Sequence, residues 1–271
     1  MEQTTKTVKK LKDLNLLDRF LFAEATEDPE IMRDILEIIL GKEIFLKHLP
    51  QTEKEQRTTP FNRFVKLDVW AWDSEDTIYD TEVQKENTNN LPKRSRYYQA
   101  MIDSRLLPPG EVDFNRLNSV YIILITPFDL FGAGKYRYTF HGACDEVPGL
   151  KLQGGAVRIF LNTRGTDKTG VSDELIELLC YMEHTTEEVS RQCKSSRIHN
   201  MQKRIQRIKY SEEIGVKYMQ EWEEKVIEKQ KGEERIKTLW SRLVEQNRMD
   251  DVVKAAKDSE YLEKLCREFH L

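Results

Sequence analysis

The sequence predicts an α/β fold, a mixed sheet with helices on both faces, followed by a helical extension. Three observations carry this. Val120–Thr126 is an unbroken apolar run of strand length, which suits a strand covered on both faces. Two stretches rich in Val, Trp, Ile and Thr, 64–73 and 77–86, flank the polar break Ser74-Glu75-Asp76, whose length fits a hairpin. Segments with apolar residues three and four apart stand before, between and after these strands, which is the spacing of half-buried helices.

Taken in order, 1–10 is polar and without period, predicting a disordered lead-in. It has no apolar core, so no secretory signal is expected there. Leu14, Leu17, Leu21 and Ala25 predict a helix over 11–25. Asp28 is placed to cap a second helix with Pro29 at its first position, and Gly41 is placed to end it. Its apolar face is Ile31, Ile35, Ile38 and Ile39. The short apolar stretch 44–49 is the candidate first strand, and the polar 51–59 reads as loop. After the hairpin, Pro92 opens a helix to about Leu106, with Arg94, Tyr98 and Met101 or Ile102 on one side. Pro108-Pro109-Gly110 is a firm break. Strands are predicted at 136–140 and 157–162, and a helix at 172–183 with Leu175, Leu178, Leu179 and Met182 buried. Residues 191–210 hold seven basic side chains and no acid. With Ile198, Met201, Ile205 and Ile208 as its apolar stripe, this segment is either a strip for DNA phosphates, including Lys203, Arg204 and Arg207, or a solvated helix face. The helical pattern continues over 211–230, Gly232 reads as a boundary, and three short amphipathic helices follow. These pack on each other and on the long helix, or on a second subunit, which would make a homo-oligomer.

Composition narrows the function. The 271 residues carry a formal net charge of −4, so any nucleic-acid contact has to come from a local basic surface. No apolar run approaches the ~20 residues that span a bilayer, so no membrane association is expected. The four cysteines form no C-x-x-C pair, which suits a reduced, cytoplasmic protein. His141, Cys144, Cys180 and His184 are a weakly spaced alternative for a zinc site.

The chemistry concentrates in the hairpin. Alternation along a strand puts Asp68 on one face with Lys66 and Trp70, and Asp80 on one face with Glu82 and Gln84. If these faces coincide, Asp68 lies beside Glu82 and Gln84. Spacing alone leaves two readings open. One is an exposed edge with ordinary surface acids. The other is a set of converging carboxylates whose repulsion and desolvation a hard divalent ion would relieve.

The order of four segments adds to this. Asp68-Val-Trp-Ala-Trp-Asp73, Tyr79-Asp-Thr-Glu-Val-Gln84, Arg94-Ser-Arg-Tyr-Tyr98 and the opening Asp18-Arg-Phe-Leu-Phe22 with Ile31–Leu40 together resemble the Rpn (recombination-promoting nuclease) family, the PD-(D/E)xK nuclease family transposases. The resemblance covers roughly 11–185. It implies a restriction-endonuclease-like αβββαβ core there with charged helices after it, which the residue pattern divides into a charged helical extension over 186–231 and a small helical module over 232–271. It implies a Mg²⁺-dependent DNA endonuclease, with Mn²⁺ as a substitute, acting in recombination or mobile-element biology. Asp68, Glu82 and the carbonyl of Val83 would then be metal ligands. Gln84 would stand where most of the superfamily has a charged Lys, and Lys66 could supply the missing charge, being of the same strand parity as Asp68. Lys85 points to the other face. Arg94 could contact a phosphate or the Gln84 side of the site. Glu24 is expected as a solvated acid. Gln84 and the negative net charge keep an alternative open, a catalytically silent nuclease fold that binds DNA or a protein partner.

Overall fold

The computed structural model describes the backbone of residues 9–56 and 65–271, and the side chains of 9–51 and 69–271. Residues 1–8 of the expected lead-in 1–10, residues 57–64 and the side chains of Lys66 and Asp68 lie outside that part. The chain forms two compact units, Met1–Ser211 and Glu212–Leu271.

The first unit is built on a six-stranded mixed sheet in the order β1-β2-β3-β4-β6-β5. The strands are β1 Gln51–Gln56, β2 Val65–Trp72, β3 Ile78–Val83, β4 Val120–Thr126, β5 Arg137–Phe140 and β6 Ala156–Asn162. β1, β2 and β3 pair antiparallel, β3–β4 and β4–β6 pair parallel, and β5 returns antiparallel to β6. The expected hairpin is therefore present, with β4 in the same sheet. Buried Asp73 closes its turn by accepting from the N–H groups of Glu75 at 3.0 Å and Thr77 at 2.8 Å, and from the Tyr79 hydroxyl at 2.6 Å. Burial first, and then that bond, pushes the Tyr79 hydroxyl far above its ordinary pKa, so it stays a donor.

Register decides which side chains share a face. One row across the sheet reads Trp70, Asp80, Ile122, Arg158, Phe140, and a row beside it reads Glu82, Leu124, Phe160, Tyr138. Helix α3, Leu91–Asp103, covers this face, packing Leu91, Met101 and Ile102 with Trp70, Ile78, Ile122, Leu124 and Phe160. Helices α1 (Arg19–Thr26) and α2 (Pro29–Leu40) cover the other face. Two contacts show it. Lys85, of opposite parity to Gln84, pairs with Asp18 at the start of α1. Arg137, on the face of Leu161, donates to the carbonyl of Ile39 near the end of α2 at 3.1 Å. α2 has the expected punctuation: Asp28 accepts from Glu30 N–H at 3.0 Å, and Gly41 adopts φ +68°. Helices α4 (Asp173–Glu183), α5 (Glu187–Gln192) and α6 (Ser196–Lys209) complete the unit.

Several elements differ from expectation. The polar stretch taken as loop is strand β1, while 44–49 contributes only an isolated bridge from Leu46 to Asp73. An edge strand is held by ladder hydrogen bonds to one neighbour, and charge on it is ordinary. The first helix begins at Arg19, after a 3-10 turn at Leu11–Asp13. Between them Asp18 accepts from Asn15 N–H at 2.8 Å and Asn15 accepts from Leu17 N–H at 3.1 Å, local bonds that compete with helix.

In the second unit, α7 runs unbroken over the 34 residues Glu212–Glu245, followed by α8 (Met249–Ala255) and α9 (Ser259–Glu268). Their shared core is Leu239, Leu243, Ala255, Leu265 and Cys266, flanked by Trp240, Val252, Tyr261, Leu262 and Phe269. Asp258 caps α9, accepting from the N–H groups of Glu260 and Tyr261, and Val252 and Ala255 take the inward positions of α8. Gly232 lies inside α7, with no atom near the position of a Cβ. A mid-helix glycine costs only ~1 kcal/mol relative to Ala, and Lys, Glu and Arg around it favour helix. The divide falls after Ser211, not at 185/186 or 231/232, because α5 and α6 pack into the first unit.

Candidate active site

Glu82 and Asp80 are both on the α3 face of β3, at 3% and 0% exposure. The hairpin register pairs Val69 with Thr81; one further step places position 68 of β2 directly opposite Glu82. Directly opposed residues of an antiparallel pair project to one face. Continued by that step, the backbone register sets position 68 of β2 across from Glu82. Val83 follows the same logic. Gln84 N–H donates to Ile125 O at 2.9 Å, so Gln84 faces its backbone groups to β4, and alternation turns the Val83 carbonyl toward β2. The Glu82 side chain, the Val83 carbonyl and the backbone position of residue 68 therefore lie at the β2–β3 junction near the C-terminal end of β3.

α3 completes the site. Its first-turn Arg94 reaches down to the strand, and Nη2 donates to Glu82 Oε2 at 3.1 Å and to Gln84 Oε1 at 3.0 Å. The guanidinium lies 5.7 Å from the centre of the Tyr98 ring. Gln84 Nε2 donates to the Glu86 carbonyl at 2.8 Å. Of the two uses foreseen for Arg94, the structure shows the contact with the Gln84 side.

A carboxylate as buried as Glu82, beside Leu124 on the covered face of the sheet, is expensive to hold charged without a partner. Arg94 supplies one such partner to Glu82. A hard cation is chemically suited to the same oxygens, since it takes carboxylate, carbonyl and water ligands. The buried Glu82 carboxylate, the Val83 carbonyl and the register position of Asp68 fit a divalent ion.

The basic strip is partly committed elsewhere. Arg204 pairs with Asp28 at 2.6 Å and with Glu30, and Arg197 pairs with Glu37 at 3.0 Å and with Glu174. Lys203 and Arg207 are exposed. The ion pairs tie α6 to α2 and to α4, and α2 lies on the opposite side of the sheet from Glu82. Cys180 and His184 line one cleft with Tyr136, Arg164 and Glu183. His141 and Cys144 are not part of it, and among the described residues no three His, Cys, Asp or Glu side chains are grouped to hold a metal. The zinc alternative has no support in this arrangement.

Two features escaped the sequence reading. Asp80 shares the Glu82 face and is fully buried; its parity was visible, its burial was not. Lys93 and Arg96 flank Arg94 on the exposed side of α3, a second basic surface beside the site. The signal was the acid-free run from Leu91 to Ile102.

The mixed sheet, helices on both faces and a central hairpin bearing the carboxylates define an α/β protein of restriction-endonuclease-like architecture. A family model for PD-(D/E)XK nuclease family transposases matches residues 17–234, and the chain belongs to that family. The match continues past 185 through α5 and α6 into α7. No curated protein and no solved structure matches the chain.

Proposed function

We propose that the protein is a metal-dependent DNA endonuclease, with Mg²⁺ as its ion and Mn²⁺ as a substitute, acting in recombination or mobile-element biology. The observation that carries this is the buried Glu82, facing position 68 across the hairpin, with Gln84 just past the end of β3. Asp68, Glu82 and the Val83 carbonyl would hold the ion. When bound, such an ion neutralises phosphate charge and makes water a competent nucleophile near neutral pH. Gln84 orients the attacking water through its carboxamide, and Lys66, of the same parity as Asp68, stands as a further cation for the site. DNA lies along α3, where Lys93, Arg94 and Arg96 meet its phosphates; Lys203 and Arg207 are a second contact if the duplex wraps the first unit. The free cysteines fit a reducing compartment such as the cytoplasm. Among the described residues no helix is long and apolar enough to cross a membrane. The second unit serves assembly into a homo-oligomer.

The test is single-turnover cleavage of plasmid DNA in Mg²⁺ and in Mn²⁺. Asp68→Ala and Glu82→Ala should abolish cutting and weaken Mn²⁺ binding together. Gln84→Ala should slow cutting while Mn²⁺ binding survives, because the ligands are untouched. Equal rates for wild type and Asp68→Ala would end the enzyme reading. They would favour a silent nuclease fold, to which the uncharged Gln84 also points.

A further inference from the structure

We propose that Arg94 carries the positive charge that the PD-(D/E)XK pattern places on its third motif residue, so that Gln84 and Arg94 act as one composite group. This rests on the nuclease reading above. The third position here is Gln84, which is polar but uncharged. A guanidinium nevertheless sits one hydrogen bond away, because Arg94 Nη2 forks between Gln84 Oε1 at 3.0 Å and Glu82 Oε2 at 3.1 Å. The motif side chains of Glu82 on β3 and of Gln84 just after it thereby share one cation that arrives from α3.

The placement is rigid. Leu91 and Ser95, on either side of Arg94 in the first turn of α3, are fully buried, and Ser95 Oγ donates to the Pro92 carbonyl at 2.9 Å. The arginine stem is thus fixed at its root, and the Tyr98 ring backs its head at 5.7 Å. Gln84 is held from both ends, accepting from Arg94 and donating to the Glu86 carbonyl. The Arg94 side chain keeps 24% of its surface exposed against 3% for Glu82, so the arginine is partly open to solvent where the carboxylate is not. Arginine also suits this position better than lysine would. Its guanidinium keeps its charge beside low-dielectric surroundings, and the two hydrogens of Nη2 serve Glu82 and Gln84 while Nη1 is left to meet phosphate.

In hydrolysis the water oxygen forms a bond to phosphorus as the bond from phosphorus to the leaving ester oxygen breaks. The water gives up a proton to solvent and the leaving alkoxide takes one from solvent. Arg94 exchanges no proton. Its work is to face the charge gathering on the non-bridging oxygens, trading its bond to Glu82 for one to phosphate while Gln84 keeps it in place. In the resting protein the same guanidinium is the counter-charge of Glu82.

Two kinds of measurement test this. Arg94→Gln keeps most of the stem without the charge, and Arg94→Ala removes both; each should lower single-turnover cleavage about 10²- to 10³-fold. Adding Gln84→Lys to either should recover at least ~10-fold, because the charge returns by the other route. Calorimetric titration of Mn²⁺ without DNA should show both Arg94 variants binding about three- to thirtyfold more tightly than wild type, since a competing cation has gone. Unchanged cleavage, no recovery with Gln84→Lys, or weaker or equal Mn²⁺ binding in Arg94→Gln each overturns the assignment. A wild type that binds Mn²⁺ but cuts nothing overturns the nuclease reading instead. The Mn²⁺ titration would then still decide whether Arg94 is the counter-charge of Glu82.

Discussion

The path of DNA over the first unit can be read from salt dependence. Lys93 and Arg96 are exposed on α3, flanking the Arg94 that touches Glu82 and Gln84. Lys203 and Arg207 are exposed on α6, flanking an Arg204 that is engaged with Asp28 and Glu30 on the other side of the sheet. Each phosphate contact on duplex DNA adds about 0.9 to the log–log slope of affinity against salt. Removing both α3 cations should therefore flatten the slope by ~1.8, and removing both α6 cations should leave it nearly unchanged. Between 50 and 200 mM salt, a difference of that size is about twelvefold in affinity. Fluorescence anisotropy of a labelled duplex, titrated with NaCl in EDTA so that no strand is cut, reads this directly. The Lys93→Ala/Arg96→Ala variant should lose about twelvefold less affinity across that range than wild type. If instead Lys203→Ala/Arg207→Ala flattens the line and the α3 variant does not, the duplex follows α6 and the path proposed here is wrong.

Other expectations follow from packing and charge. Arg204→Ala removes partly exposed ion pairs between α6 and α2 and should cost about 0.5–1 kcal/mol in urea unfolding at low salt; an equal cost in 1 M NaCl would argue against an electrostatic origin. Leu124→Ala empties a fully buried position of the sheet below α3 and should cost about 2–5 kcal/mol, checked by the same denaturation. Burial raises the Asp18 carboxyl pKa, but the Lys85 bond, the Asn15 N–H and Lys9 outweigh it and hold the group below its ordinary value. Its contribution is thus complete above the unfolded value of about 3.9 and is lost as pH falls through the lower folded value. The stability gap between wild type and Asp18→Asn should be flat from about pH 5 to 8 and close at more acidic pH; a gap that widens on acidification would reverse the sign. A chain ending at Ser211 should unfold cooperatively by itself and sediment as a monomer, whereas retained oligomerisation would move assembly out of the second unit.

What was legible follows what each element rests on. The hairpin and β4 could be read because Val, Ile and Trp runs report burial directly, and parity along β3 already set Glu82 and Gln84 on one face and Lys85 on the other. β1 was illegible because ladder bonds hold Gln51–Gln56. Gly232 misled because a glycine marks an end only where the chain must turn. Arg94 was visible as a cation near the site, but its bond to Glu82 depends on how α3 crosses the sheet, which no local spacing encodes. The same holds for Arg204, whose partners Asp28 and Glu30 are far away in sequence.

The hairpin also bears on the order of folding. Position 68 and Glu82 meet across a short turn, and hairpins of this kind close in about 1–10 μs. β3 meets β4 in parallel only after the chain has travelled through Gln84–Ser119, and β6 later still. Such non-local pairings form late because loop closure must be met before they reward it. By this order the hairpin bearing Glu82 should form before α3 docks on it. Arg94 rides on that helix, so its charge reaches Glu82 in the same event that removes the solvent. Substitutions around Asp73 should accordingly slow folding, while those at Arg94 should mainly speed unfolding.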